Sequence, residues 1–481
     1  MLPHEIFFYG GIFFLVGILV ASLGALPLFV TASTVAVSGL FILFYFSDNS
    51  KKNLWFAGLL VFIIAGSVYY RIDDARFRVP RIPLREKIEF LGIVMSDPVQ
   101  KDDMQEMRVV FSEPFHTNIL IKTRHGQFAY GDAIKGSGVV EKQSNGGYAR
   151  YLDGQYIRGT MSFPSVEKVG EHKGSVIKSA LLDIKHKITN VFTRVLPPEE
   201  AIFLSGLTIG ARGSFSPELK DAMQKSGTTH LVALSGQNIS ILVFVTMILL
   251  LSIMRHRTAF IIATLIIIGF VIMTGADASV IRAAIVGFIV LLANEIGRAH
   301  DIRNVILCSC LVMILFSPKS LVFDVGFQLS FLALLGIVYI NPIIMHFIGM
   351  KERKDKGFLL WRTYLVTTAS AQIATMPILI ASFGFFSPIS LLSNVAILEF
   401  IPMTMGLGFL TAFASAFSFY LSLMFGLLTS VFLKFELFLI YFFARISFPI
   451  QFKISALFFI VYYGALGFGL WWANRIVVIK K

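Results

Sequence analysis

The sequence is poor in charge and almost devoid of cysteine. Only 15% of its 481 residues are Asp, Glu, Lys or Arg, against 56% hydrophobic, and the mean hydropathy is +0.75. Soluble domains carry roughly a quarter charged residues, which excludes an ordinary soluble protein and indicates an integral membrane protein. The two cysteines, Cys308 and Cys310, lie inside the apolar run "VILCSCLVMILF". They exclude a disulfide framework and a cysteine metal cluster, and they read as small apolar residues of a helix. No Walker A spacing is present, so there is no evident ATP site. No H-x-H-x-D-H or H-E-x-x-H occurs among the nine histidines, so no metallohydrolase is evident and no cofactor is expected. No Lys or Arg precedes the first apolar run, "EIFFYGGIFFLVGILV". That excludes the charged start of a signal peptide and marks a retained helix. Short-period repeats and low-complexity tracts are also missing.

The charge that is present is unevenly placed. The net charge is +13, yet residues 71–175 carry 16 Lys and Arg against 14 Asp and Glu. The excess therefore sits in short loops between apolar runs, as the positive-inside rule predicts for any membrane protein, and it is no evidence for nucleic acid.

Windows of roughly 20 residues place three spans first, at about 6–22, 27–46 and 54–70, giving an N-terminal membrane region over 1–70. The basic loop "SDNSKKN" between the second and third is cytoplasmic by this rule, so the third span delivers residues 71–175 to the outer side. That region changes period. "KIEFLGIVMS", "EMRVVFS", "TNILIKT", "AIKGSGVVEK" and "QYIRGTMSF" read as short strands separated by turns such as "YGD" and "SNGG". Five strands in about 90 residues suit a small OB-like barrel. Residues 176–198 follow as an amphipathic interfacial helix, with Ile177, Leu181, Ile184, Ile188 and Val191 or Phe192 on one face and Lys178, Lys185 and Lys187 on the other. A second membrane region fills 199–481. Its basic loops "RHR", "GRAHDIR" and "KERKDK" are an even number of crossings apart, so all face the cytoplasm. Beyond "FGFFSPIS" the run "SPISLLSNVAILEFIP" is interrupted by Pro, Asn and Glu, and such irregular backbone must line a cavity or be buried in protein. The fold expected is a polytopic α-helical membrane protein with an inserted small extracytoplasmic OB-like β-barrel domain.

Polar residues inside these apolar runs are costly and point to function. His230, Ser235, Gly236, Gln237 and Asn238 crowd the start of a span. Arg282 sits in "GADASVIRAAIVGFIVLL", while Asp324 and Gln328 are four apart in "FDVGFQLSFLALLGI" and so share a helix face. Thr368, Gln372 and Thr375 form a further stripe, and Glu399 and Glu436 are isolated acids. Interhelical hydrogen bonding is the structural alternative for any one of them; several polar faces in one bundle indicate a hydrated path. Arg282 and Asp324 each follow a short outer loop, so the two are expected at similar depth, satisfying each other. An enzymatic reading takes Ser235 as nucleophile and His230 as base, but no G-x-S-x-G elbow or third partner accompanies them.

Three blocks, "GLTIGARGSFSPELKDAMQKSGTTHLVALSGQNISI", "SVIRAAIVGFIVLLANEIGRAHDIRNVILCSCLVMILFSPKSLVFDVGFQLSFLALLGI" and "AQIATMPILIASFGFFSPISLLSNV", resemble the ComEC family in family order. That family supplies the inner-membrane channels for DNA uptake in natural transformation. The outer stretches "YGDAIKGSGVV" and "GGYARYLDGQYIRGTM" look like its OB domain. The resemblance implies that single-stranded DNA crosses through the membrane bundle, with His230 to Asn238 lining the mouth, Arg282, Asp324, Gln328 and Gln372 along the path, and Gly236 permitting a close backbone approach. Ser235 or Asn238 merely capping a span is the alternative there. On the outer domain, Lys122, Arg124, Tyr148, Arg150 and Tyr151 are the expected contacts to DNA, combining basic groups with stacking rings. A cytoplasmic motor or DNA-binding protein and an outer DNA receptor are the partners implied, alongside the lipid bilayer. Two departures stand out. The family usually has a histidine at the position of Asn238, and many members continue into a metallo-β-lactamase-like domain, whereas this sequence stops at "NRIVVIKK", so a separate nuclease is expected. The rival function is a carrier for a small anionic solute.

Overall fold

The computed structural model describes residues 3–22, 50–76, 85–101, 104–113, 115–124, 127–141, 147–211, 213, 215–232, 234, 236–296, 301–349, 361–448, 450–451 and 455–479. The protein is mostly helical, with a small mixed β-sheet near its first third. Among the described residues six helices are long and apolar enough to cross a membrane: Glu5–Ser22, Gly236–Ile253, His256–Thr274, Val325–Phe347, Trp361–Phe383 and Phe419–Ile446. The helices Ser390–Leu398 and Ile401–Ala414 form a further apolar pair bent by 47°. This is a multi-pass membrane protein. The expected span at 27–46 and the loop "KERKDK" lie outside the described residues.

Residue contacts divide the chain into two compact units, one of Met1–Pro98, Asp103–Val176 and Ala284–Phe327, the other of Val99–Asp102, Ile177–Ala283 and Gln328–Lys481. In the first unit the helices Pro3–Ser22 and Ser50–Arg76 cross at two glycines. A Cβ on Gly17 would overlap the Ile63 carbonyl oxygen, and one on Gly66 would overlap that of Phe14. Such close approach is how helices in lipid gain contact without a hydrophobic drive between them. Ser67, fully buried at this crossing, donates to the Gly17 carbonyl at 2.8 Å.

Six strands of the same unit are β1 (Lys87–Val94), β2 (Met104–Glu113), β3 (Thr117–Thr123), β4 (Ala133–Val139), β5 (Ile157–Ser162) and β6 (Ser165–Gly170), hydrogen-bonded in the order β5-β3-β2-β1-β4-β6. All pairs are antiparallel except β3 with β5. Period-2 alternation sends Ile88, Phe90 and Val94 of β1 inward with Met107, Val109 and Phe111 of β2. Phe90 and Phe111 stack at 4.3 Å. The sheet does not close into the expected barrel. A single isolated antiparallel bridge, Glu141 with Thr160, links its two limbs among the described residues. The stretch "GGYARYL" is a helix, Gly147–Gly154, and no strand. Its Leu152 is buried against Leu120 and Ile157, with Tyr151 alongside.

A polar joint fixes this helix to its unit. Its last carbonyl, that of Gly154, accepts from the Ser317 hydroxyl at 3.1 Å. Tyr156, in the left-handed region at φ 60°, donates to the Phe316 carbonyl at 3.2 Å and reaches Asp73 at 3.4 Å. Burial and the Asp73 carboxylate push its phenol up to about 12. Lys319 is buried and paired with Asp74 at 3.1 Å.

In the second unit the core gathers Phe192, Phe203, Leu204, Leu207, Met405, Leu433 and Ile440. Helix Val176–Val195 forms as expected but buries Leu182, Lys185 and Phe192, while Ile177 and Ile184 are exposed. Lys185 is therefore not on an open basic face; its long apolar stem lets it lie in the buried stripe. Span Val325–Phe347 contains a π-helical stretch at Gly336–Ile340, where Gly336 lies against the Ser370 carbonyl of Trp361–Phe383. Such bulges widen one turn and favour close crossings at functional places.

Candidate functional site

Two successive helices lead to the polar segment. Pro198–Ile209 ends at Gly210 and Pro217–Ser226 at Gly227, both left-handed, at φ 61° and 73°. Proline opens each helix and glycine closes it, the asymmetry expected of helix termini. Ser216 caps the second, its hydroxyl accepting from the Leu219 N–H at 3.1 Å. The last carbonyls of that helix, which have no intrahelical donors, are taken by distant serines. Ser387 and Ser447 donate to the Lys225 carbonyl at 2.6 and 2.7 Å, and Ser393 to that of Ser226 at 2.6 Å. Ser390 stands so close that a Cβ on Gly227 would overlap its own. Ser387, Ser390, Ser393 and Asn394 of the interrupted run "SPISLLSN" are thus buried in protein, one of the two settings its composition allowed, while Leu392 is exposed.

His230, on the short turn Thr229–Val232, is exposed, with Nδ1 3.2 Å from the Gly227 carbonyl. Ser235 lies outside the described residues. Gly236 and Gln237 open the span Gly236–Ile253, and both are half-buried. Asn238 is buried, and its Nδ2 donates to the Leu207 carbonyl at 3.0 Å, satisfying an orphan acceptor in the last turn of Pro198–Ile209. Ser279 donates to the Leu234 carbonyl at 2.8 Å and ties the start of Ala278–Ile296 to the same segment.

Arg282 comes to this place. A Cβ on Gly236 would lie 2.8 Å from the Arg282 Nη2, so a larger residue there would make the guanidinium shift from the opening turn of the span. Its Nη1 donates to the Ser330 carbonyl at 3.0 Å, and the Phe331 ring lies 6.0 Å from its central carbon. Its Nε is buried with no hydrogen-bond partner among the described residues. The first-turn amides of Gly236–Ile253 have no intrahelical acceptor either. The guanidinium is thus held beside the start of a membrane-spanning helix, by the Ser330 carbonyl on one side and close to Gly236 on the other.

The other sequence-derived residues fall in three places. Gln372, half-buried, donates to the Ser390 hydroxyl at 3.0 Å and so joins the serine cluster, while Thr368 and Thr375 are buried. Gln328 is half-buried on Val325–Leu335. Asp324 is not inside that helix but before it, where its Oδ1 accepts from the Phe327 N–H at 3.1 Å. Short acidic side chains cap helices because they satisfy these first-turn donors. Arg282 and Asp324 belong to different units, and each has a hydrogen bond inside its own.

In the first unit, Tyr151, Gln155, Lys319 and Asp324 line one small depression. Residues expected on two separate sites, Tyr151 and Asp324, therefore share one. Lys319 and Gln155 were not singled out by the sequence; the signal for Lys319 was a lone cation in "SPKS" answering the acids of "RIDD". Tyr148 is exposed and stacks on Tyr151 at 6.2 Å, whereas Arg150 is placed only by its backbone on the helix. Arg124 lies 4.8 Å over the Phe163 ring, and Lys122 is half-buried on β3 opposite Glu106.

A family model described as "Competence protein" matches residues 207–476. ComE operon protein 3 of Bacillus subtilis (strain 168) is 30% identical over 256 residues, which is 53% of this chain and 31% of that protein. The chain thus matches about a third of the length of that relative. No solved structure matches.

Proposed function

We propose, on the premise that this chain belongs to the competence protein family, that its membrane bundle is a conduit for single-stranded DNA taken up across the cytoplasmic membrane in transformation. One observation carries the reading. Within the matched region, Arg282 lies against the opening turn of Gly236–Ile253 and retains an N–H with no partner among the described residues. Guanidinium and helix-start amides together suit a phosphodiester, which is anionic and repeats along the strand. The chain acts here as a passage and not as an enzyme. Direction comes from a cytoplasmic motor or DNA-binding protein, and strands arrive from an outer receptor and a nuclease.

On this reading His230, Gly236, Gln237 and Arg282 form the mouth, with Gln328 deeper, while Gln372 supports the serine cluster through Ser390. Asn238 holds the mouth's shape through Leu207. The sheet is read as a relative of the OB barrel, supported by its parallel β3–β5 pair and by the Glu141–Thr160 bridge, and Tyr148, Tyr151, Arg124 and Lys122 offer stacking and charge to bases and phosphates. A carrier for a small anion would use the same guanidinium, but the stacked tyrosines have no role in it.

Deleting the gene from its host and following labelled DNA tests the proposal. Cells should still bind DNA at their surface, and none should reach the cytoplasm. Undiminished import would end the conduit reading.

The sheet domain is assigned to the outer side. With Cys308 and Cys310 replaced by alanine, a cysteine at His172, whose side chain is 83% exposed, should react with an impermeant maleimide in intact spheroplasts. Reaction only after lysis would put the domain in the cytoplasm.

A further inference from the structure

Helix Phe419–Ile446 turns a stripe of residues into the second unit: Ser422, Gly426, Thr429, Ser430, Leu433, Glu436, Leu437 and Ile440. Most of its polar members are hydroxyls with ready partners. Ser422 donates to the Thr411 carbonyl at 2.9 Å, Thr429 to its own helix at 2.8 Å, and Ser430 to Glu200 at 2.6 Å. Glu436 is different. It has no exposed surface at all, and its neighbours on the stripe, Leu433 and Leu437, belong to the apolar core with Leu204, Leu207 and Met405. It stands ten residues from the end of its helix, or about 15 Å at 1.5 Å per residue, and so well inside the hydrocarbon.

The Thr404 hydroxyl donates to Glu436 Oε1 at 2.5 Å, and Oε2 is buried with no partner among the described residues. No cation is ion-paired with it there. Of the elements packed against this helix, Ile401–Ala414 and Ser390–Leu398 carry no titratable residue. Pro198–Ile209 carries Glu199, bonded to Tyr441, and Glu200, bonded to Ser430. Pro217–Ser226 carries Glu218, Lys220 and an Lys225–Asp221 ion pair at 2.7 Å. On its own helix Lys434 faces outward, and Arg445 lies in the last turn. An ionised carboxylate in such a place costs several kcal/mol, offset by the Thr404 hydrogen bond alone and by no cation among the described residues. The neutral acid leaves only one buried O–H without an acceptor, a cost of about 1–3 kcal/mol.

We propose that Glu436 is a proton-binding site in the interior of the bundle, occupied at neutral pH. The ligand is a single transferable proton, held on a carboxyl whose carbonyl is oriented by Thr404. The inference stands apart from the reading of DNA passage, since it uses none of the residues at the mouth.

Hydrophobic carbodiimides react with membrane-embedded carboxylic acids and provide the test. The acid adds across a C=N bond: its oxygen bonds to the central carbon, its proton moves to nitrogen, and nothing is expelled. The full chain, purified in detergent, is treated with dicyclohexylcarbodiimide at pH 7 and mapped by mass spectrometry. Glu218 serves as internal control, because it is exposed to water, where a hydrophobic carbodiimide does not accumulate. Label on Glu436 should exceed that on Glu218 at least about 50-fold, and Glu436→Gln should remove it. Equal labelling of the two would overturn the proposal. Infrared spectra give a readout independent of reagent access. Wild type minus Glu436→Gln should show the carbonyl stretch of a protonated acid at pH 7; a carboxylate signal in its place would overturn the proposal whatever the labelling. Should Glu436→Gln fail to insert, Thr404→Val supplies the comparison, since losing one hydrogen bond to the carbonyl should raise the frequency of the same band. An unmoved spectrum would overturn the assignment.

Discussion

Cells carrying Arg282→Gln should import labelled DNA at about a tenth to a hundredth of the normal rate, with the protein still present in the membrane at its usual level. The size follows from the contact at stake. A hydrogen bond to a charged group is worth about 1.5–3 kcal/mol, and every 1.4 kcal/mol is a factor of ten in a rate or equilibrium. Glutamine keeps a donor for the Ser330 carbonyl and loses the cation, so the helices stay joined while the phosphate loses its counter-charge. Arg282→Lys should fall between, because an ammonium keeps the charge without the planar fork. Gly236→Ala should mimic the loss in part: its Cβ would push Nη2 away from the opening turn while leaving the charge in place. The measurement is labelled DNA recovered from the cytoplasm, normalised to membrane-fraction protein. Normal import by Arg282→Gln would remove this residue from the path.

Gly227→Val should prevent the second unit from assembling. Two costs combine. At φ 73° a β-branched residue is strained by about 1–3 kcal/mol, and its Cβ would overlap that of Ser390. Neither partner can yield easily, because Gly227 follows a helix whose carbonyls bind Ser387, Ser393 and Ser447, and Ser390 starts the helix that carries Ser393. Together they should exceed about 3 kcal/mol, a large part of the stability of an ordinary domain. The variant should be recovered mainly as aggregate on size exclusion in mild detergent, or with a melting temperature many degrees lower. Ser390→Gly in the same chain should recover part of the loss by removing the overlap while leaving the strain. A Gly227→Val protein as stable as wild type would show that this docking is not made.

How much of this was written in the chain can be judged residue by residue. The first span, Glu5–Ser22, announced itself, because a long apolar run has one stable form in lipid. Five of the strands were legible from alternation, as "KIEFLGIV" shows with its inward Ile88, Phe90 and Val94. The helix in "GGYARYL" was not legible, since so short a stretch shows no periodicity of its own and its Leu152 is fixed by Leu120 and Ile157, which lie on strands. Asp324 looked like an intramembrane acid because an apolar window does not reveal where a helix begins, and its capping bond marks that point. The juncture of Gly236 with Arg282 joins residues 46 apart, and no local pattern carries such pairing. Asn238 was singled out for its polarity, but its partner, the Leu207 carbonyl, is backbone and leaves no signature in side-chain types.

The serines that close the end of Pro217–Ser226 also impose an order on biogenesis. They lie 162, 167 and 222 residues further along the chain than the carbonyls they bind. At about 5–20 residues per second, synthesis of that stretch takes roughly 8–45 s. Through that interval the carbonyls of the emerging helix's last turn have no permanent donor and must stay in water or at the headgroup boundary. The segment can therefore settle only after the last long span has entered the membrane, so a ribosome that stalls before Ser387 leaves the early helices inserted and the mouth unmade. Quality control of this protein would then act on chains interrupted late, long after the first spans have passed inspection.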